Sequence, residues 1–176
     1  MERVVITGCA GSGKSTLGRL LAARTGLPLT ERDALGPLGS PEYLTAIGDL
    51  AVQPRWILDA APYDADEIIY RAADTIVILD YRRPVVLWRV LRRTLRVELT
   101  RRPAGAHRPQ GLAAFSDPGH SVRWAWASHA QRHREGLSLM DRPDLAGTRV
   151  LRLTRPVQAR RWLQRMTRAA SAAGAD

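Results

Sequence analysis

The chain has 176 residues, 45% of them hydrophobic and 25% charged, with a formal net charge of +10. That length fits one domain able to bury its own core, and the composition excludes wholesale disorder and a fibrous repeat. No stretch approaches the roughly 18 consecutive apolar residues of a transmembrane helix, and the single cysteine, Cys9, excludes an internal disulfide.

In chain order, Arg3–Thr7 is a short β-branched run, the pattern of a buried strand. A glycine-rich turn, Gly8–Gly13, follows. Lys14–Arg24 reads as a helix with Leu17, Leu20 and Leu21 on one side, closed by Gly26 and Pro28. Leu27–Thr30 is a second short strand and Pro41–Ala51 a helix. Trp56–Asp59 is a compact strand, and Tyr63–Ala72 has a helical pattern. Thr75–Asp80 is the strongest strand in the chain. Pro84–Leu95 is a helix with proline in its first turn, and Leu87, Val90, Leu91, Thr94 and Leu95 mark its inward side. Residues 101–120 are rich in Pro, Gly and His and read as an excursion. Ser121–Glu135 is helical, Arg149–Leu153 a last strand and Pro156–Ala170 a last helix, with a short tail over residues 171–176. Strands alternating with helices predict a parallel sheet covered on both faces, in a single domain over residues 1–170.

The charge is unevenly placed. Residues 1–80 hold 7 basic and 11 acidic side chains, whereas residues 81–108 hold 9 arginines and one acid, Glu98. Residues 109–176 hold 11 basic and 5 acidic side chains. The second half therefore favours anionic partners. Of the 27 basic residues only Lys14 is a lysine.

Lys14 lies in the strongest functional motif. Gly8-Cys9-Ala10-Gly11-Ser12-Gly13-Lys14-Ser15 fits G-x-x-x-x-G-K-[ST], with a strand before it and a helix after it. Glycines at Gly8, Gly11 and Gly13 let backbone amides turn inward around a phosphate, Ser12 included, and the helix N-terminus adds positive dipole character. The pattern predicts ATP with Mg²⁺: Lys14 on the β- and γ-phosphates, Ser15 in the magnesium shell and Thr16 at the α-phosphate. Cys9 reads as a variable loop residue.

Two acids end strands. Asp59 closes Trp56-Ile57-Leu58 and Asp80 closes Ile76-Val77-Ile78-Leu79. Either has the form of a carboxylate that holds Mg²⁺ through its waters. Asp59 is the expected magnesium residue, because its strand is expected beside the phosphate-loop strand. Asp80 is expected to serve helix entry ahead of Pro84.

The loop GCAGSGKST, Asp33-Ala34-Leu35, the strand WILD and the run TIVILDYRRPVVLWRVLRR together resemble the bacterial DNA topology modulation proteins, the FlaR-like family. These are similar to adenylate and shikimate kinases. The resemblance spans roughly residues 3–96 and implies a nucleotide-kinase-like core. Its members usually follow the third strand with Asp-Gly-Asn-Tyr, where this chain has Asp59-Ala60-Ala61-Pro62-Tyr63. They also carry aromatics where Gly36-Pro37-Leu38-Gly39 stands here, so acceptor identity does not carry over. Asp33 is the acceptor-side acid on this reading: it would orient a hydroxyl, take its proton or bind a magnesium water, or else it is a solvated loop acid beside Glu31 and Arg32.

Arg89, Arg92, Arg93 and Arg96 recur at i, i+3, i+4 and i+7 on one helix face. In adenylate-kinase-like enzymes this region leads into an arginine-rich lid, here about residues 96–120. Arg92 and Arg96 are the residues expected on the transferring phosphate, and Arg101, Arg102 and Arg108 would continue the lid. Arg123-Trp124-Ala125-Trp126, followed by His129, Arg132, His133 and Arg134, reads as a helix that buries its tryptophans, with stacking on nucleic acid as the alternative. His129 and His133 do not form a metal motif.

The combined expectation is an α/β P-loop domain, three layers, with a five-stranded parallel sheet in the order 2-3-1-4-5. It would use ATP and Mg²⁺ to phosphorylate a small acceptor, a nucleotide, nucleoside or other hydroxylated metabolite. The alternative is an ATPase that binds nucleic acid through its basic second half. The N-terminus MERVVITG meets glycine too soon for a signal peptide, and with the lone cysteine this sets a cytoplasmic expectation, with no membrane partner.

Overall fold

The computed structural model describes residues 1–59, 67–101 and 121–173. Five strands, β1 (Arg3–Gly8), β2 (Leu29–Glu31), β3 (Trp56–Asp59), β4 (Thr75–Leu79) and β5 (Arg149–Leu153), form one sheet in the order β2-β3-β1-β4-β5. Every pairing is parallel. Six helices accompany them: α1 (Lys14–Thr25), α2 (Pro41–Ala51), α3 (Glu67–Ala72), α4 (Arg83–Thr100), α5 (Ser121–Ser138) and α6 (Pro156–Ala173).

Alternate residues of the central strands feed two cores, as the two-residue side-chain period of a strand requires. Val4, Ile6, Val77 and Leu79 pack with Leu17 and Leu21 of α1, Val86 and Val90 of α4 and Trp162 of α6. Val5, Leu58, Ile76 and Ile78 pack with Tyr43 and Ile47 of α2 and Ile69 of α3. Full burial of each such aliphatic side chain contributes about 1.5–3 kcal/mol. Helix α5 crosses the carboxyl ends of the strands: His129 Nε2 lies 2.9 Å from the Tyr81 carbonyl, and Gly136 sits against Ile78.

Three elements differ from the sequence expectation. Helix α4 runs on to Thr100, because its buried stripe continues through Val86, Val90, Thr94 and Val97. The inward side is this stripe, and Leu95 is exposed. Helix α6 continues through Ala173, so the first half of the expected tail is helical, and residues 174–176 lie outside the described chain. The helix expected from Tyr63 is described only from Glu67, and most of the 101–120 excursion, with Arg102 and Arg108, also lies outside the described residues. Among the described residues no helix is long and apolar enough to cross a membrane.

Candidate nucleotide and acceptor site

Strand β1 ends in the glycine-rich turn and α1 begins at Lys14, so the loop sits at the carboxyl edge of the sheet beside its central strand. Two of its glycines answer to packing. A Cβ on Gly11, where φ is +79°, would stand 2.3 Å from Val90 Cγ2. One on Gly8 would stand 2.6 Å from the Leu79 carbonyl oxygen. The residue before the helix, Gly13, is left-handed at φ 95°, no side chain caps α1, and its first turn carries no acid. The helix N-terminus is thus presented to a ligand with its positive character uncompensated.

Lys14 Nζ donates to the carbonyls of Gly8 at 2.9 Å and Cys9 at 3.3 Å. Burial pushes its ammonium below the ordinary lysine range, and the nearby Asp59 carboxylate pulls the other way. Burial likewise raises the Cys9 thiol, leaving it an inert core thiol.

Asp59 ends β3 with Ile6 of β1 opposite it in register. Its Oδ1 is buried without a hydrogen-bond partner. Burial pushes the carboxyl up, while a hydrogen bond from the Ser15 hydroxyl and the charge of Lys14 pull it down. A hydroxyl joined to a carboxylate with an open oxygen is the donor set that fits a hydrated Mg²⁺, and Ser15 and Asp59 could hold one. Asp80, the other strand-end acid, is fully engaged. Its oxygens accept from Arg152 Nε at 2.7 Å and sit 2.9 Å from His133 Nδ1. It does not cap the next helix, whose N-cap is Arg82. His129 and His133 are thus taken up by β4-end groups, and no cluster of three metal-ligating side chains exists among the described residues.

Two clefts meet at the loop. The larger, about 970 Å³, runs from the loop and Thr16 along α4 and α6, past Tyr81, Arg89, Arg93, Arg96 and Arg160. The smaller, about 270 Å³, is closed by Asp59, Arg32, Trp124, Ser128 and Arg132. Ala10, Lys14, Ser15, Glu31 and Asp33 border both. Asp33 lies in a short 3-10 turn after β2, paired with Arg32 and with its side chain 63% exposed.

Of the two arginines expected at phosphate, Arg96 borders the large cleft and Arg92 does not; Arg92 is exposed. Its neighbours on α4 take the place. Arg89 Nη1 donates to the Ser12 carbonyl at 2.8 Å while its guanidinium stacks 5.1 Å from the Tyr81 ring centroid. Arg93 is partly buried, its Nε has no partner, and burial pushes its guanidinium down. A partly desolvated guanidinium with an unpartnered N–H, facing a cleft, has the chemistry to receive an anion. The four arginines were visible as one face; choosing among them needed the helix's rotation, which Val86 and Val90 set. Trp124 and Arg132 belong to the basic and aromatic run of the sequence, but no spacing ties them, or Ser128, to the phosphate loop; only the path of α5 brings them there. Helix α5 also leaves its tryptophans half-exposed, Trp124 at 50% and Trp126 at 55%, and buries Ala125 and Ser128 instead. The expectation of buried tryptophans is corrected accordingly.

No family model matches the chain, and no curated protein matches it. Solved structures do. A shikimate kinase from Bacteroides thetaiotaomicron is 16% identical, with 97% of this chain and 98% of that chain covered and a TM-score of 0.56. A shikimate kinase from Acinetobacter baumannii, in complex with shikimate, is 16% identical over 98% of this chain and 94% of that chain, with a TM-score of 0.53. A gluconokinase from Sinorhizobium meliloti 1021 is 20% identical over 97% and 94%, with a TM-score of 0.50. At such identities the likeness speaks of the fold, and the fold of this chain is that of the P-loop kinases.

Proposed function

We propose that the protein transfers the γ-phosphoryl group of ATP to a hydroxyl of a small acceptor, with Mg²⁺ as cofactor. The observation that carries this reading is the meeting of two unequal clefts at Lys14, Ser15 and Asp33. One is long, lined by arginines and floored by the phosphate loop. The other is small and polar. A donor and an acceptor lodged in them would face each other across the loop, and positioning of this kind supplies much of the catalysis in phosphoryl transfer.

The loop amides around Gly8, Gly11, Ser12 and Gly13 receive the β-phosphate, and Thr16 lies further along α1 for the α-phosphate. Lys14, now turned on two loop carbonyls, exchanges them for phosphate oxygens. Ser15 and the open oxygen of Asp59 would hold a hydrated magnesium ion, which would supply neutralisation of the phosphate charge. Arg93 and Arg96 stabilise the charge on the transferring group, and Arg89 positions the loop through Ser12. Arg92 stands outside this set. Asp33 orients the acceptor hydroxyl and receives its proton. The solved neighbours named for shikimate and gluconate support a small hydroxylated acceptor, and the motif resemblance to the DNA topology modulation proteins supports the nucleotide end alone.

The test is ADP formation from Mg-ATP across a panel of sugars, sugar acids, nucleosides and nucleotides, with single-stranded and duplex DNA included and Lys14→Ala as control. One small acceptor that accelerates ADP release and gains 80 mass units, about one HPO₃ added to a hydroxyl, supports the reading. Stimulation by DNA alone replaces it with the nucleic-acid-dependent ATPase.

A further inference from the structure

A third cleft, about 810 Å³, lies on the other side of Tyr81 from the phosphate loop. Its walls come from the start of α4, the second half of α5 and the residues that follow β5. Arg82, Arg134 and Arg155 line it, and none of them pairs with a described carboxylate. Arg83 joins them with its guanidinium 4.7 Å from the Trp126 ring centroid. The one acid in the wall, Asp80, is ion-paired with Arg152 at 2.7 Å and lies 2.9 Å from His133 Nδ1. Some arginines elsewhere have carboxylate partners, Arg19 with Glu31, Arg55 with Glu2, and Arg71 and Arg142 with Glu67 and Asp144, while Arg92, Arg149 and Arg161 have none among the described residues but do not gather in a cleft with others. A concave surface holding five guanidiniums against one carboxylate repels itself, and that repulsion is relieved when an anion enters.

We infer that this cleft is a second anion site, distinct from the nucleotide cleft, that takes a phosphate-bearing ligand. Three unpaired guanidinium forks match phosphate oxygens in two-pronged geometry, which a lysine cluster would not do. The volume admits a ligand of metabolite size. The same chemistry is offered by a small phosphate ester and by a nucleic-acid backbone. The inference stands whether or not the phosphotransfer reading does, since none of Arg82, Arg134 and Arg155 belongs to that machinery.

The experiment is calorimetric titration with inorganic pyrophosphate in magnesium-free buffer, on the parent, Lys14→Ala and the double variant Arg134→Gln/Arg155→Gln. The parent is expected to show two sites. Lys14→Ala should weaken one and keep the other; the double variant should weaken only the other, by at least about tenfold. Those two side chains make no hydrogen bond or ion pair among the described residues, so the fold is expected to stand, and an unchanged melting temperature checks it. A parallel titration with a thymidine decamer separates the sources. Tighter binding than pyrophosphate, lost in the double variant, assigns the anion to a nucleic-acid backbone; weaker binding assigns it to a small phosphate ester. A single site in the parent, or a second site indifferent to Arg134 and Arg155, overturns the inference.

Discussion

Asp59 and Asp80 are near-twins in sequence and opposites in structure. Each ends a buried strand, and each of those strands pairs with β1, Asp59's on one side and Asp80's on the other. Adjacency to the phosphate loop therefore does not distinguish them. Their partners do. Asp59 keeps a buried oxygen open; the Ser15 hydroxyl and the charge of Lys14 favour its charged form, and the nearby Glu31 and Asp33 carboxylates oppose it. Asp80 is closed by a guanidinium and an imidazole. A carboxylate that the fold leaves short of partners is held at a cost, and ligand binding is what recovers it; a saturated one belongs to the fold.

The contrast is sharpened by substitutions that should fail in opposite ways. Lys14→Ala is expected to have the largest effect, lowering turnover on the order of 10²–10³-fold, the range for removing one preorganised donor to a transition-state oxyanion. Single-turnover kinetics with Mg-ATP and the acceptor identified by the panel would show it. Asp59→Asn should cost about 10²-fold or more in activity while leaving the protein as stable or more stable at neutral pH. The sign follows from its raised carboxyl pKa: the fold disfavours the charged form, so the parent's penalty is present above the folded pKa and vanishes once both states are protonated. The melting temperature of Asp59→Asn should thus exceed the parent's at pH 7, and the gap should close as pH falls below the ordinary aspartate range. Asp80→Asn should do the reverse, lowering stability by about 1–3 kcal/mol through loss of charge toward Arg152 while keeping magnesium dependence. Denaturant melts beside a magnesium titration would separate the two. A stable Asp80→Asn that loses its magnesium response would move the metal role from Asp59 to Asp80.

Smaller effects test the loop. Gly11→Ala should destabilise by about 1–3 kcal/mol, since its Cβ meets Val90 and its φ is left-handed. Adding Val90→Ala should return part of that loss if the clash with α4 is a cause, measurable by thermal melts. Least of all, Arg92→Ala should leave KM for ATP within about twofold, whereas Arg93→Ala should raise KM or lower kcat by tenfold or more.

Much of this arrangement was legible in the residues. The loop from Gly8 to Ser15 is contiguous, and its meaning depends only on the strand before it and the helix after it. The strand TIVIL and the helix face of α4 were likewise local patterns, and alternation alone implied the parallel sheet. What was not legible depends on distance through the fold. Arg93 and Arg92 are adjacent on one helix face, and only the seating of Val86 and Val90 turns one toward the cleft and leaves the other in solvent. Arg132 and Trp124 reach the smaller cleft because α5 crosses the strand ends. The tryptophans of α5 mislead for the same reason: a small residue, Ala125, faces the core because the helix lies close to the loop. Helix α4 outran its expected end because Val97 continues a stripe that the arginine pattern obscured.

The most direct measurement is the magnesium dependence of ATP binding in the parent, Asp59→Asn and Asp80→Asn, followed by calorimetry at fixed ionic strength. Magnesium is expected to tighten ATP binding in the parent and in Asp80→Asn, with that gain falling at least about tenfold in Asp59→Asn. Retention of the full gain in Asp59→Asn, with its loss in Asp80→Asn, would contradict the assignment of the open carboxylate to the metal.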